Sequence, residues 1–170
     1  ENENLIIVYA ARLPFYINKY GFSGEKHVNT IIHKDKEISL EEGFKSTILS
    51  LLDKHKVIYV YPWPETKTDP KSYLQLKNIL SPFSVYKVKG DEVVNLYTEV
   101  KEYLKTSYDL LDQIQHENLY RVYSDKIFCD NQIKNFCVTH TKDKLYYADD
   151  DHLSIEGSKL IHKEIKKKNY

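Results

Sequence analysis

Asp149, Asp150, Asp151 and His152, followed by Leu153 and Ser154, bring three carboxylates, an imidazole and a hydroxyl together near the C-terminus. A serine nucleophile needs a base, and the base needs a carboxylate to fix its tautomer and stabilise the imidazolium. Asp149 and His152 stand three residues apart. In a turn leading into a helix, that spacing places both groups on one side, with the second ring nitrogen facing a nucleophile from another element. Two other accounts compete. Aspartates ahead of a Ser-capped helix are favoured by its positive N-terminal end and need no chemistry; Asp150 and Asp151 are expected to be loop or dipole-facing charges of this kind. Carboxylates and imidazole also bind divalent cations. Three adjacent aspartates in an extended segment cannot all face one ion, however, and neither a calcium-loop spacing nor H-E-x-x-H occurs. No metal is therefore expected.

Cys129 and Cys137 flank the polar stretch "DNQIKNF". Their spacing is too wide for a zinc knuckle, which also needs four ligands, and there is no C-x-x-C redox pair. A short-loop disulfide in an oxidising compartment is the better reading. The alternative is two unpaired thiols.

The elements that must position these residues follow from hydrophobic patterning. "LIIVYAA" (Leu5 to Ala11) and "VIYVY" (Val57 to Tyr61) are near-continuous apolar runs, as expected for parallel strands covered on both faces. A weaker strand is expected at the start of Leu119 to Phe128. Ser39-Leu40-Glu41-Glu42 has the form of a capping box, followed by an apolar stripe of Phe44, Ile48, Leu51 and Leu52. A second helix is predicted from about Asp91 to Gln115, with Val93, Tyr97, Val100, Leu104 and Leu111 as its stripe. A third starts near Ser154 and carries Leu160, Ile161 and Ile165. Alternating strand and helix predicts a parallel α/β sheet. Three strands are few for such a sheet. The chain also begins at Glu1 and contains no methionine. Together these features read as the later part of a domain whose first strand or strands are absent.

At 170 residues the chain fits one domain, and 41% hydrophobic against 29% charged residues is the balance of a globular protein. Basic and acidic residues number 25 each, so nothing points to nucleic acid or an anionic membrane. No apolar stretch approaches bilayer-spanning length.

Several stretches, in order, resemble a known family. "DDDHLSIEG" (Asp149 to Gly157) is similar to the closing D-x-x-H block of SGNH/GDSL-type hydrolases. "LIIVYAARLPFY" (Leu5 to Tyr16) resembles the strand and A-A-R segment of the SGNH domains fused to acyltransferase-3 membrane proteins. "VIYVYPWPE" (Val57 to Glu65) is similar to their next strand and P-x-P-E turn, and Ile127 to Ser154 resembles their paired-cysteine segment running into the histidine block. The resemblance implies a three-layer, flavodoxin-like sheet of parallel strands with helices on both faces. It further implies a cofactor-free domain outside the cytoplasmic membrane. Such a domain works with a multi-span partner that handles the acyl donor, and transfers acyl groups, usually acetyl, to hydroxyls of cell-surface glycans. By that comparison Asp149 and His152 are the acid and base of a Ser-His-Asp relay, and a Cys129–Cys137 disulfide suits the periplasm.

The family's serine lies in a G-D-S block on the first strand. No G-D-S occurs here; "GFSG" (Gly21 to Gly24) follows the wrong strand, and Ser154 is placed to cap a helix. The nucleophile is therefore expected in sequence preceding Glu1, and this chain alone is expected to be inactive. Where related enzymes often place an oxyanion-hole asparagine, this chain has Ala10-Ala11-Arg12. Arg12 is thus a candidate to donate to an oxyanion, to hold a carboxylate, or to tie loops together. A stand-alone carbohydrate esterase would share every local motif. A non-catalytic glycan-binding module, with tyrosines and Trp63 available for stacking, is the reading from a different class.

Overall fold

The two apolar runs become adjoining strands of a parallel sheet. The computed structural model describes residues 4–26, 39–72, 94–141 and 143–168. Within them the order is β1 (Ile6–Ala10), α1 (Leu13–Asn18), α2 (Leu40–Leu52), β2 (Lys56–Val60), β3 (Val94–Leu96), α3 (Tyr97–Asp112), β4 (Leu119–Val122), α4 (Asp125–Phe128), β5 (Phe136–Val138) and α5 (Ile155–Lys166). Strands β1, β2 and β4 pair in that order, all parallel, with Val8 opposite Ile58 and Ile58 opposite Tyr120. The expected α/β architecture is the one observed.

β2 is the central strand, and its alternating side chains feed two cores. Ile58 and Val60 pack with Val100 and Leu104 of α3, Phe128 of α4 and Ile161 of α5. On the other face Val57 and Tyr59, with Tyr61 just beyond, meet Leu13 of α1 and Ile48 and Leu52 of α2. Continuous burial of β2 explains its unbroken apolar run.

β1 is different. Its Ile7 and Tyr9 face the second core, whereas Ile6 and Val8 are 50% and 54% exposed. Among the described residues no strand pairs with its outer edge. An apolar run on a half-covered edge strand is a surface suited to a further strand or helix.

The capping box forms as expected: the Glu42 amide donates to Ser39 Oγ at 3.2 Å, and the Ser39 amide donates to Glu42 Oε2 at 3.2 Å. The second predicted helix is corrected. It starts at Tyr97 and not near Asp91, because 94–96 form a short strand pairing antiparallel with 136–138. Asp91 and Val93 lie outside the described residues. A three-residue strand leaves no periodic signal, and Tyr97, Val100 and Leu104 fit a helical stripe wherever the helix begins. Helices α1 and α4 also went unread, each too short to show a period; Pro14 in the first turn of α1 is compatible with a helix start.

Cys129 and Cys137 form the expected disulfide, both nearly inaccessible, tying the end of α4 to β5. Many tyrosines are packed with their hydroxyls satisfied. Tyr147 donates to the Pro64 carbonyl at 2.6 Å, Tyr61 to Asp112 at 2.5 Å and Tyr108 to Asp125 at 3.1 Å. Tyr59 is the exception: its buried hydroxyl has no partner among the described residues, a desolvation cost of about 1–3 kcal/mol.

Candidate active site

The loop carrying the aspartates and the histidine is pinned at both ends. Tyr147 and Leu153 form an antiparallel bridge, the Ala148 amide donates to the His152 carbonyl at 2.8 Å, and the Ser154 amide donates to the Tyr146 carbonyl at 2.8 Å. Ser154 then starts α5. Its Oγ accepts from the amides of Glu156 (3.1 Å) and Gly157 (3.2 Å) and donates to the Leu145 carbonyl at 2.5 Å. That hydroxyl is committed to capping. Gly157 lets the helix start lie close to the bridge, since a β-carbon there would stand 2.1 Å from the Tyr146 carbonyl oxygen.

Asp149 turns back over the loop. Its Oδ1 accepts from the amides of His152 (2.7 Å) and Asp151 (3.0 Å), and its two oxygens lie 3.1 and 2.9 Å from His152 Nδ1. Such self-contained turns are typical of aspartate in loops. Partial burial opposes the charge on Asp149, but the two amides and the imidazole outweigh it and bring its carboxyl down to about 2. The hydrogen bond with Asp149 is the main cause holding the His152 imidazole above its ordinary value. The charge of Asp151 adds to it, and burial and Arg12 oppose. With Nδ1 held and the side chain 72% exposed, Nε2 is the nitrogen left to face a reactant.

Asp151 is not the loop charge expected from the sequence. Its Oδ1 lies 2.8 Å from His152 Nδ1, its Oδ2 accepts from Arg12 Nη1 at 2.8 Å, and its side chain is only 14% exposed. Burial raises its carboxyl above the usual value, with Arg12 opposing. Asp150 contributes its carbonyl, which accepts from the Thr66 amide at 2.7 Å.

Arg12, one residue ahead of α1, is turned onto carboxylates. Nε and Nη2 donate to the two oxygens of Glu65 at 2.8 and 2.7 Å, Nη2 also meets Glu25, and Nη1 holds Asp151. The hydrogen bond it donates to Glu65 is the main cause raising the guanidinium pKa further above its already high value. Glu65 is 5% exposed and also accepts from the Tyr103 hydroxyl (3.2 Å) and the Phe22 amide (3.3 Å). Trp63, in the same turn after β2, donates from Nε1 to the Asp151 carbonyl at 2.7 Å. The Pro62–Glu65 turn and Arg12 therefore fasten the loop to the sheet.

A family model described as the SGNH domain fused to AT3 domains matches residues 1–167. The chain belongs to that SGNH-domain family. The solved periplasmic domain of a lipopolysaccharide acetyltransferase from Salmonella ser. Paratyphi A is similar at 16% identity and a TM-score of 0.49. The match covers 95% of this chain and 55% of that one. The SGNH chain thus spans about half the length of that domain. No curated protein matches the chain significantly. Among its described residues, no helix is long and apolar enough to cross a membrane.

Donor atoms of Asp149, Asp151 and His152 in this SGNH domain lie within 4.8 Å of one another, the spacing of a cation site. Their partners argue for another use. Asp149 already accepts two amides, and Asp151 already pairs with a guanidinium whose charge would repel a metal ion. The donor set suits an imidazole that becomes positively charged.

Sequence reasoning missed Glu65, and it gave Trp63 and Asp151 other roles, a stacking surface and a loop charge, than the ones they hold here. The P-W-P-E turn directly after the most buried strand was the available signal, since a glutamate there needs a cation if it is to be buried.

Proposed function

We propose that this chain supplies the acid and base of an O-acyl transferase, acetyl being the favoured group, acting on hydroxyls of a cell-surface glycan. The observation that carries the reading is Asp149 bonded to His152 Nδ1 with the ring otherwise exposed. In this reading His152 Nε2 takes the proton as a serine Oγ attacks the acyl carbonyl, and Asp149 stabilises the imidazolium. The proton passes to the leaving group of the donor, leaving an acyl-serine. A glycan hydroxyl then attacks that ester, again losing its proton to His152, and serine is regenerated. Water in place of the glycan gives an esterase.

The serine comes from sequence preceding Glu1, residues 1–170 being the C-terminal portion of the catalytic domain. The outer edge of β1, unpaired among the described residues, and the exposed Ile6 and Val8 support a preceding strand docking there. Fusion of the family to AT3 domains supports a membrane acyltransferase domain as source of the acyl group, and the disulfide supports a periplasmic or other extracytoplasmic site.

The test compares this chain with a longer form of its parent that includes the upstream segment, using a small acetyl ester and then donor plus glycan. Turnover is expected only from the longer form. Robust turnover by this chain, lost on Ser154→Ala, would place the nucleophile within it and overturn the assignment.

A further inference from the structure

Three carboxylate oxygens converge on a single imidazole nitrogen, and an arginine backs the less exposed of the two carboxylates. Asp149 reaches His152 Nδ1 at 2.9 and 3.1 Å, and Asp151 reaches it at 2.8 Å. Two anions beside one ring nitrogen, Asp149 by hydrogen bond and Asp151 as an ion pair, would repel each other, and Arg12 Nη1, 2.8 Å from Asp151 Oδ2, offsets that repulsion. We propose that Asp151 is a positioning residue for His152, a second carboxylate on Nδ1 that Arg12 fixes to the scaffold. The inference rests on the relay reading above and adds a residue to it.

The two carboxylates differ in what they are attached to. Asp149 is held by amides of its own loop, so its tether moves with the loop. Asp151 is held through Arg12 to Glu65, which is buried in the turn after the central strand, and its carbonyl is fixed by Trp63. A histidine side chain 72% exposed has few packing contacts to select its rotamer. The Asp151 link transmits the rigidity of the sheet to the ring. It also lies in a less screened place, with side-chain exposure of 14% against 45% for Asp149. Among the described residues, the charged groups acting on the ring are Asp149, Asp151 and Arg12. The two carboxylates favour the imidazolium and Arg12 opposes it.

The experiment follows the ¹⁵N and ¹H signals of the His152 ring against pH in the full chain, comparing wild type, Asp151→Asn and Asp149→Asn. Asp151→Asn should lower the ring pKa measurably, because the Asp151 charge is one of the causes holding it up. Asp149→Asn should leave the Nδ1–H tautomer in place and the pKa above the free-histidine value of about 6.5, because Asp151 still holds the ring. Each variant keeps the side-chain shape, and either alone decides the matter if the other fails to fold. An unchanged titration in Asp151→Asn, or free-histidine behaviour in Asp149→Asn, would overturn the proposal. No acyl substrate is involved, so the outcome is independent of the function itself; normal glycan acylation by a His152→Ala parent would instead sink the relay and leave the pairing intact.

Discussion

Replacing His152 with alanine in the parent protein should remove nearly all glycan acylation, a loss of at least about 10⁴-fold. An unassisted serine hydroxyl is a poor nucleophile near neutral pH, and nothing in the His152 loop can replace the base: Ser154 is spent on capping, and Asp149 and Asp151 face Nδ1. Because Asp151 also lies 2.8 Å from that nitrogen as an ion pair, Asp149→Asn should cost less than the roughly 10⁴ lost when a lone acid is removed, and the Asp149→Asn/Asp151→Asn double variant should approach it. Asp150→Ala is the control, since what Asp150 gives the loop is its carbonyl. The pH profile carries the same signature. His152 must be neutral to accept a proton, and its two carboxylates raise its pKa, so the neutral form appears only at higher pH. The acid limb should therefore have its midpoint above about 6.5, with activity increasing through it. Acylation assays at matched expression check both points, and normal transfer by His152→Ala would end the account.

Arg12→Ala should be among the most destabilising single changes in the molecule, by about 3–5 kcal/mol. The cause is the group left behind. Glu65 is 5% exposed and would lose two charge-assisted bonds, keeping the Tyr103 hydroxyl and the Phe22 amide as its neutral donors. Asp151 and Glu25 would lose a cation at the same time. Pairing the change with Glu65→Gln removes the stranded charge and should recover a large part of the loss, the non-additivity expected of residues in one network. Urea unfolding of the four forms is the measurement. An Arg12→Ala variant within about 1 kcal/mol of wild type would mean that the clamp contributes no more than a surface ion pair.

Much of the frame could be read from the chain because the physics is local. β2 is buried on both faces and reads as an unbroken apolar run, Ser39 and Glu42 satisfy each other's amides within one turn, and Ser154 caps the helix it precedes. The pairing of Asp149 with His152 was legible for the same reason, being a matter of three residues in a turn. The rest depends on meetings across the fold. Glu65 finds Arg12 at a separation of 53 residues, and Trp63 finds Asp151 at 88. Whether Asp150 or Asp151 turns toward the imidazole depends on how the loop is pinned by Thr66 and Trp63, which no periodicity encodes. Likewise β3 and β5 exist through each other, too short to be marked by their own residues.

The central claim is that His152 activates a serine outside this chain to carry an acyl group. The most direct measurement gives the intact parent its acyl donor, withholds the glycan, quenches in acid and maps acylated peptides by mass spectrometry. The account predicts an acyl ester on one serine upstream of Glu1, discharged when glycan is added and absent in His152→Ala. An acyl group on Ser154, or transfer proceeding with no acylated serine at all, would contradict it.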